Sequence, residues 1–435
     1  MRILQITAGA GGMYCGSCLM DNALAAELRS RGEDVLLLPV YTPTRTDETN
    51  VSDPHVFFGG ISVYLEQNIP LFRKTPAVLD RLWDAAPVIR AATGRGISVD
   101  PHALGALTIS TLKGEEGNQA KEFGKLLGYL DHLPSFDLAL LPNALLISLA
   151  PALRRELKRP VVCTLQGEDL FLEGLAEGHR AEAKALIAKH ASAVDGFVAT
   201  SDYYAAFMSS YLGLDRDVVH TVPIGINLEG HAPRSAAGEG PVVVGYLARV
   251  APEKGLHLLA EAYRVLRQEL GLQAARLEAA GYLAPEHRPY LAEIQGRLRD
   301  WGLDNEFRYH GTLDREAKIA FLRGLDVLSV PSPYAEPKGL YLLEALANGV
   351  PCVQPRHGAF PEVLGHTDGG VLFEPNDARD LARRLHELVS DREAARALGL
   401  RGAEGVRRDH SIARMADRAL DVYRSVIEGR ERRPC

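Results

Sequence analysis

Apolar runs of four to six residues recur along this chain, each followed by a turn and then by a segment of helical spacing. In the first half the predicted strands are 3–7, 35–40, 137–141, 161–165, 196–200 and 218–222. In the second half they are 242–247, 277–280, 307–311 and 327–330. Short continuous apolar runs bounded by turns read as buried strands. Strand, glycine loop, helix, strand is the building unit of a doubly wound α/β sheet. The first unit shows it clearly: strand 3–7, the loop AGAGGMYCGSC, a helix over 19–30 with Leu24 and Leu28 inward and a stop at Gly32, then strand 35–40. Helices fall between the later strands, the first over 144–158, and Ser201 is placed to cap the helix that follows it.

The alternation is interrupted twice. Residues 41–135 carry no clean strand–helix pattern, although 81–96 and 115–130 have helical spacing. Residues 230–240, GHAPRSAAGEG, have the composition of a linker. A chain of 435 residues is long enough for two domains, each with its own core. The expected boundaries are a first domain over 1–228, with 41–135 as an insertion, a second over 241–411, and a C-terminal amphipathic helix over 412–430.

Residues 326–375 hold the densest chemistry. A strand leads into the loop SPYAEPKG, then into a helix over 340–348 that Asn348, Gly349 and Pro351 stop. Leu340, Leu343, Leu346 and Ala347 share one face of that helix, and Glu344 lies ~40° around from Leu340, at the edge of the apolar stripe. A carboxylate there is partly desolvated and needs a partner. The Gly339 and Leu340 amides open the helix, where partial positive charge suits an anion. Glu336 in the loop, the helix start and Glu344 together suit a ligand with hydroxyls at both ends and phosphate between. The plainer reading makes Glu336 a solvated loop residue and pairs Glu344 with a nearby base.

The stretch E-P-K-G-L-Y-L-L-E-A-L-A-N-G-V-P resembles the E-x7-E signature of retaining glycosyltransferases of the GT-B fold, family 4 in particular, and its E-P-x-G-L opening is similar to glycogen and starch synthases. The surroundings match as well: Gly349-Val350-Pro351, Pro361-Glu362-Val363, and Gly370 before an apolar strand. One departure is Gly358-Ala359, where the family has two glycines. The resemblance implies two Rossmann-like domains facing each other across a cleft, with the last helix crossing back to the first domain. It covers 1–40 and 137–427 and is poor over 41–135.

Further motifs take roles from the same resemblance. Arg249 and Lys254, after the first strand of the second half, match R-x4-K, which grips the donor diphosphate; two cations beside a helix start oppose phosphate charge. Lys338 joins them in the loop. The base lies near the strand end at Tyr309. Gly11 and Gly12 let backbone approach the ligand at the end of the first strand. In TLQGEDL, Gln166 stands where family members have His, while Gly167 and Asp169 are kept. Asn227 in PIGIN replaces the usual Asp at the domain junction. Gln donates and accepts hydrogen bonds but does not titrate.

The implied activity is transfer of a hexosyl group from a nucleotide diphosphate sugar, a UDP-sugar or else a GDP- or ADP-sugar, with retention of configuration. Glu336 would contact the sugar and Glu344 the ribose. The acceptor stays open among a saccharide, a small molecule and a lipid-linked group. Rivals are a nucleotide-sugar epimerase of similar fold and a non-catalytic nucleotide-sugar sensor. No cofactor is expected, and no metal: the lone D-x-D, Asp215-Arg216-Asp217, falls in a turn. Cys15-x-x-Cys18 at a helix entrance admits a redox or metal role, but no second C-x-x-C exists to complete a zinc site. Net charge of −7 argues against a nucleic-acid partner held by bulk charge. No run has transmembrane length, the N-terminus lacks a signal-peptide apolar region, and five cysteines suit a reducing compartment. A cytoplasmic protein is expected, with peripheral membrane association left open.

Overall fold

The structure, a computed structural model, describes residues 1–9, 15–58, 63, 66–67, 101–234 and 240–431. Gly11, Gly12, the segment 81–96 and most of 56–74 lie outside the described residues. The chain divides into two compact units, Met1–Val222 with Ala416–Cys435, and Pro223–Met415.

The first unit runs β1 (Arg2–Thr7), α1 (Gly16–Ser30), β2 (Asp34–Pro39), α2 (Pro101–Leu112), α3 (Ala120–Asp131), β3 (Leu138–Leu141), α4 (Leu149–Leu157), β4 (Val161–Leu165), α5 (Glu168–Glu173), α6 (Glu177–Ala191), β5 (Gly196–Ala199), α7 (Asp202–Leu212) and β6 (Val219–Thr221). The strands form one sheet of order β2-β1-β3-β4-β5-β6, parallel throughout. The chain goes from β1 outward to β2, then returns to the far side of β1 as β3. The switch point of the sheet therefore lies between β1 and β3, where crevice residues collect in doubly wound folds. Leu24 and Leu28 of α1 are buried, and α1 starts three residues before the apolar spacing begins because the Leu19 amide already bonds the Cys15 carbonyl at 2.9 Å. Over 144–158 the single predicted helix is split: a 3₁₀ turn at Ala144–Leu146, capped by Asn143, precedes α4, which takes Pro151 in its first turn, where the missing N–H costs nothing. Ser201 caps α7 by accepting from the Tyr204 amide at 3.2 Å.

The second unit runs β7 (Val242–Leu247), α8 (Leu256–Gln268), β8 (Ala275–Ala280), α9 (Arg288–Asp300), β9 (Phe307–Tyr309), α10 (Arg315–Arg323), β10 (Val327–Leu328), α11 (Leu340–Ala347), β11 (Cys352–Pro355), α12 (Phe360–Thr367), β12 (Gly370–Phe373), α13 (Ala378–Ser390) and α14 (Arg392–Asp409). Its sheet has the order β12-β11-β10-β7-β8-β9, again parallel. Here the switch point lies between β7 and β10. The PIGIN segment pairs with the end of α14: Ile226 donates to the His410 carbonyl at 2.9 Å and accepts from the Ile412 amide at 2.8 Å. The last helix, α15 (Ile412–Glu431), starts there, and its residues from Ala416 on group with the first unit.

Candidate active site

In the second unit, three loops leave the carboxyl ends of adjacent strands β11, β10 and β7. The loop after β7 carries Arg249 and Lys254 and ends at Gly255, whose φ of +75° is left-handed. A Cβ at Gly255 would sit 2.0 Å from the Pro331 carbonyl oxygen, so only glycine lets this loop meet the one after β10. The loop after β10 carries Glu336, Lys338 and Gly339. The loop after β11 holds it from the other side: the Ala359 amide donates to the Glu336 carbonyl at 2.8 Å, and a Cβ at Gly358 (φ +61°) would sit 2.5 Å from that oxygen. The Gly358-Ala359 departure is thereby explained. Gly358 is the position that needs glycine; Ala359 has φ −79°, which any residue adopts.

Glu336 is not a solvated loop residue: it is 5% exposed and its Oε1 accepts from the Lys254 Nζ. Burial, with Arg249 adding to it, pushes the Lys254 ammonium down to about 7. Arg249 is exposed and pairs with Glu253 at 3.1 Å. The Gly339 and Leu340 amides open α11 and have no acceptor among the described residues.

Helix α11 differs from its predicted one-sided burial. It is buried all round except along the line of Leu340 and Glu344, one turn apart. That line starts at the helix N-terminus beside Glu336. Glu344 also has the basic partner that a half-buried carboxylate requires: Lys318 of α10 donates to its Oε1 at 2.6 Å. Lys318 is 9% exposed and was not read from the sequence, because nothing in α10 marks it as facing a residue 26 positions on. Tyr309 ends β9 with its hydroxyl on the Gly281 carbonyl at 2.7 Å, and burial raises its pKa.

In the first unit the loops after β3 and β4 are tied together by Glu168. Its Oε1 accepts from the Ala144 amide at 3.0 Å and its Oε2 from the Gln166 amide at 2.7 Å, while burial raises the carboxyl's pKa against those two bonds. Gly167 turns with φ +105°; its amide donates to the Tyr204 hydroxyl at 2.8 Å, which donates to Asp169 Oδ1 at 2.7 Å. Gln166 and Asp169 are thus fixed side by side at the end of β4, 7% and 5% exposed. The Gln166 Nε2 donates to the Pro142 carbonyl at 2.8 Å and faces Asp21 Oδ1 of α1 at 3.4 Å. Asp21, Glu168 and Tyr204 escaped the sequence reading; Glu168 was inside the quoted motif, but the other two lie on helices with no local signal.

Cys15 and Cys18 are not joined in a disulfide, and the hydrogen bond between them, with burial, pushes the Cys18 thiol up. Asp215 caps its own turn by accepting from the Asp217 amide at 3.1 Å. Among the described residues no helix is long and apolar enough to cross a membrane.

Residues 230–404 match the family model described as glycosyl transferases group 1. The chain is 28% identical over 243 residues to the D-inositol 3-phosphate glycosyltransferase of Saccharomonospora viridis, covering 54% of this chain and 56% of that protein. It is 26% identical over 363 residues to the GDP-mannose-dependent alpha-(1-6)-phosphatidylinositol monomannoside mannosyltransferase of Mycolicibacterium smegmatis, covering 79% of this chain and 89% of that one. Against several such curated relatives the chain spans about half their length, as with the 56% of the Saccharomonospora protein. Among solved structures, sucrose-phosphate synthase from Thermosynechococcus elongatus superposes with a TM-score of 0.69 at 18% identity, covering 98% of this chain and 99% of that one. Anabaena HepE in complex with UDP also gives 0.69, at 16% identity, covering 98% and 100%. At these identities the likeness is one of fold, and the fold is GT-B.

Proposed function

We propose that this chain, which carries a glycosyl transferases group 1 domain over residues 230–404, transfers a hexosyl group from a nucleotide diphosphate sugar to an acceptor hydroxyl with retention of configuration. The observation that carries this reading is the grouping at the switch point of the second unit. A half-buried cation, Lys254, touches a buried carboxylate, Glu336, beside the open amides of α11, and a second carboxylate, Glu344, stands one turn further on. A diphosphate is recognised by the cation and the amides. Hydroxyls on either side of it are recognised by the carboxylates. As the bond to the sugar breaks, charge grows on the leaving diphosphate, and the same cation and amides stabilise it without rearranging.

In this reading the donor sits on the second unit. UDP, GDP and ADP remain the candidate nucleotides; HepE is a UDP complex, and the Mycolicibacterium relative is named for GDP-mannose. The first unit's Gln166 and Asp169 serve the acceptor. The test is a thermal-shift screen of UDP-, GDP- and ADP-sugars followed by incubation of the hits without acceptor. A transferase releases nucleoside diphosphate slowly by hydrolysis, an epimerase returns an altered donor, and a sensor binds and does nothing.

A further inference from the structure

The chain enters α1 through two cysteines that the proposed transfer does not use. The Leu19 amide donates to the Cys15 carbonyl at 2.9 Å and closes the first turn of α1, so Cys15 and Cys18 stand three residues apart on one side of it. Helix geometry then separates their Cα atoms by ~5 Å, inside the span of ~4.4–6.8 Å that a disulfide bridges. The two thiols are in hydrogen-bond contact with each other. They differ in access: Cys15 is half-buried and Cys18 is 1% exposed. Cys15 also stands at the N-terminus of a 15-residue helix, where partial positive charge favours a thiolate.

We propose that Cys15 and Cys18 form a reversible dithiol–disulfide couple at the entrance of α1, closed by a small disulfide of the glutathione type. The Cys15 thiolate attacks one sulfur of the small disulfide. That S–S bond breaks, a mixed disulfide forms on Cys15, and one half leaves as a thiolate. Cys18 then gives up its proton and attacks the Cys15 sulfur, which forms the Cys15–Cys18 bond and expels the second half. The protein loses two electrons and two protons, and the small disulfide takes up both to become two thiols. Cys18 is suited to the second step. Its hydrogen bond with Cys15, and after it burial, push its thiol up, and the mixed disulfide removes the first of these. Cys18 also meets the Thr7 hydroxyl, which donates to Asp21 Oδ2 at 2.8 Å, and Asp21 Oδ1 lies 3.4 Å from the Gln166 Nε2. Closing the disulfide changes the sulfur that Thr7 meets, so oxidation disturbs the group that holds Gln166. That consequence, unlike the disulfide itself, rests on the glycosyl-transfer reading.

The test uses the full chain, equilibrated in glutathione buffers from fully reduced to fully oxidised, quenched with acid, alkylated and mapped by mass spectrometry. The expected result is loss of two hydrogens from the peptide that carries residues 15–18, rising with the share of glutathione disulfide and reversed by dithiothreitol. Cys163 and Cys352, both 0% exposed on β4 and β11, should stay reduced. Cys18→Ser should accumulate glutathione on Cys15, because the second sulfur is missing, and Cys15→Ser should leave Cys18 unmodified. Turnover by the oxidised wild-type chain should fall ~10- to 100-fold with nucleoside diphosphate affinity unchanged, as for a contact misplaced at the reacting centre. Cys15→Ser, whatever its own rate, should not respond to the oxidant. No disulfide at any buffer ratio, a mixed disulfide that persists on wild-type Cys15, or first attack at Cys18 overturns the proposal. A disulfide that forms with turnover unchanged overturns its link to Gln166. Absence of turnover by the wild-type chain on every nucleotide sugar overturns the transfer reading, and the mass measurement still decides on the couple.

Discussion

The Lys254 ammonium loses water on entering the loop after β7, Arg249 adds to that cost, and the Glu253 carboxylate restores only part of what is lost. Its pKa falls to about 7 in the folded chain, from an ordinary value of 10.5. The folded state therefore binds fewer protons than the unfolded state between those values, so this group's contribution to stability rises with pH across that window and its full cost is present below it. A diphosphate reverses the balance, because its charge favours the protonated amine. Binding above pH 7 is expected to draw in a proton. Calorimetry at pH 8 in buffers of different ionisation enthalpy should show uptake approaching one proton, and affinity should weaken as pH rises. Lys254→Ala should abolish the uptake and weaken binding by ~1.5–3 kcal/mol, about ten- to a hundredfold. Unchanged affinity in that variant removes Lys254 from the site.

The two glutamates separate at the same scale. Glu336→Ala releases Lys254, so affinity for nucleoside diphosphate should hold or rise while turnover falls. Glu344→Ala should weaken product binding, and it should also lower stability by ~1.5–3 kcal/mol because Lys318 loses its charged partner in a site 9% exposed. Adding Lys318→Met should recover stability but not affinity. Affinity recovered together with stability would make Glu344 a structural partner of Lys318 and no ligand of the ribose.

At the scale of elements, the loop–helix joints are set by a few backbone positions. Gly255→Ala forces a Cβ against the Pro331 carbonyl at a φ of +75° and should cost more than ~1 kcal/mol while moving Lys254 off the site. Ala359→Gly, which restores the family's paired glycines, should do the opposite of what the motif suggests: a loss of ~0.4–1 kcal/mol through the unfolded chain and no change in donor affinity, since Ala359 is already at φ −79°. Melting temperatures and calorimetry on the two variants check both.

These joints also show what the sequence could and could not yield. Strands such as Val161–Leu165 and Val242–Leu247 were legible to the residue, because a strand buried on both faces leaves a continuous apolar run. Helix α11 was legible as a helix but not in its burial. Apolar spacing ranks faces by residue type, and Leu340 counts as apolar although it shares the open line with Glu344. Lys318, Asp21 and Tyr204 were not legible, since each acts on a residue far along the chain and carries no signature of its own. The Glu336 and Lys254 positions were legible from motif spacing, while their contact with each other needed the fold.

At the scale of the whole molecule, two parallel six-stranded sheets of different strand order each place polar groups at their own switch point, which supports the proposed division of labour between donor and acceptor recognition. In the proposed donor site Arg249, Lys254 and the α11 amides would supply the positive charge that a growing phosphate anion needs. Activity is accordingly expected to survive EDTA at the untreated rate; loss with EDTA and recovery with Mg²⁺ or Mn²⁺ would show that these groups are insufficient. The central claim is retaining transfer from a nucleotide sugar, and its most direct test is ¹H NMR of the chain incubated with UDP-, GDP- and ADP-hexoses without acceptor. The account predicts that at least one donor is cleaved, that the first-formed free sugar carries the donor's anomeric configuration, and that Lys254→Ala suppresses the cleavage. An inverted first-formed sugar, an epimerised donor, or no cleavage of any donor would contradict it.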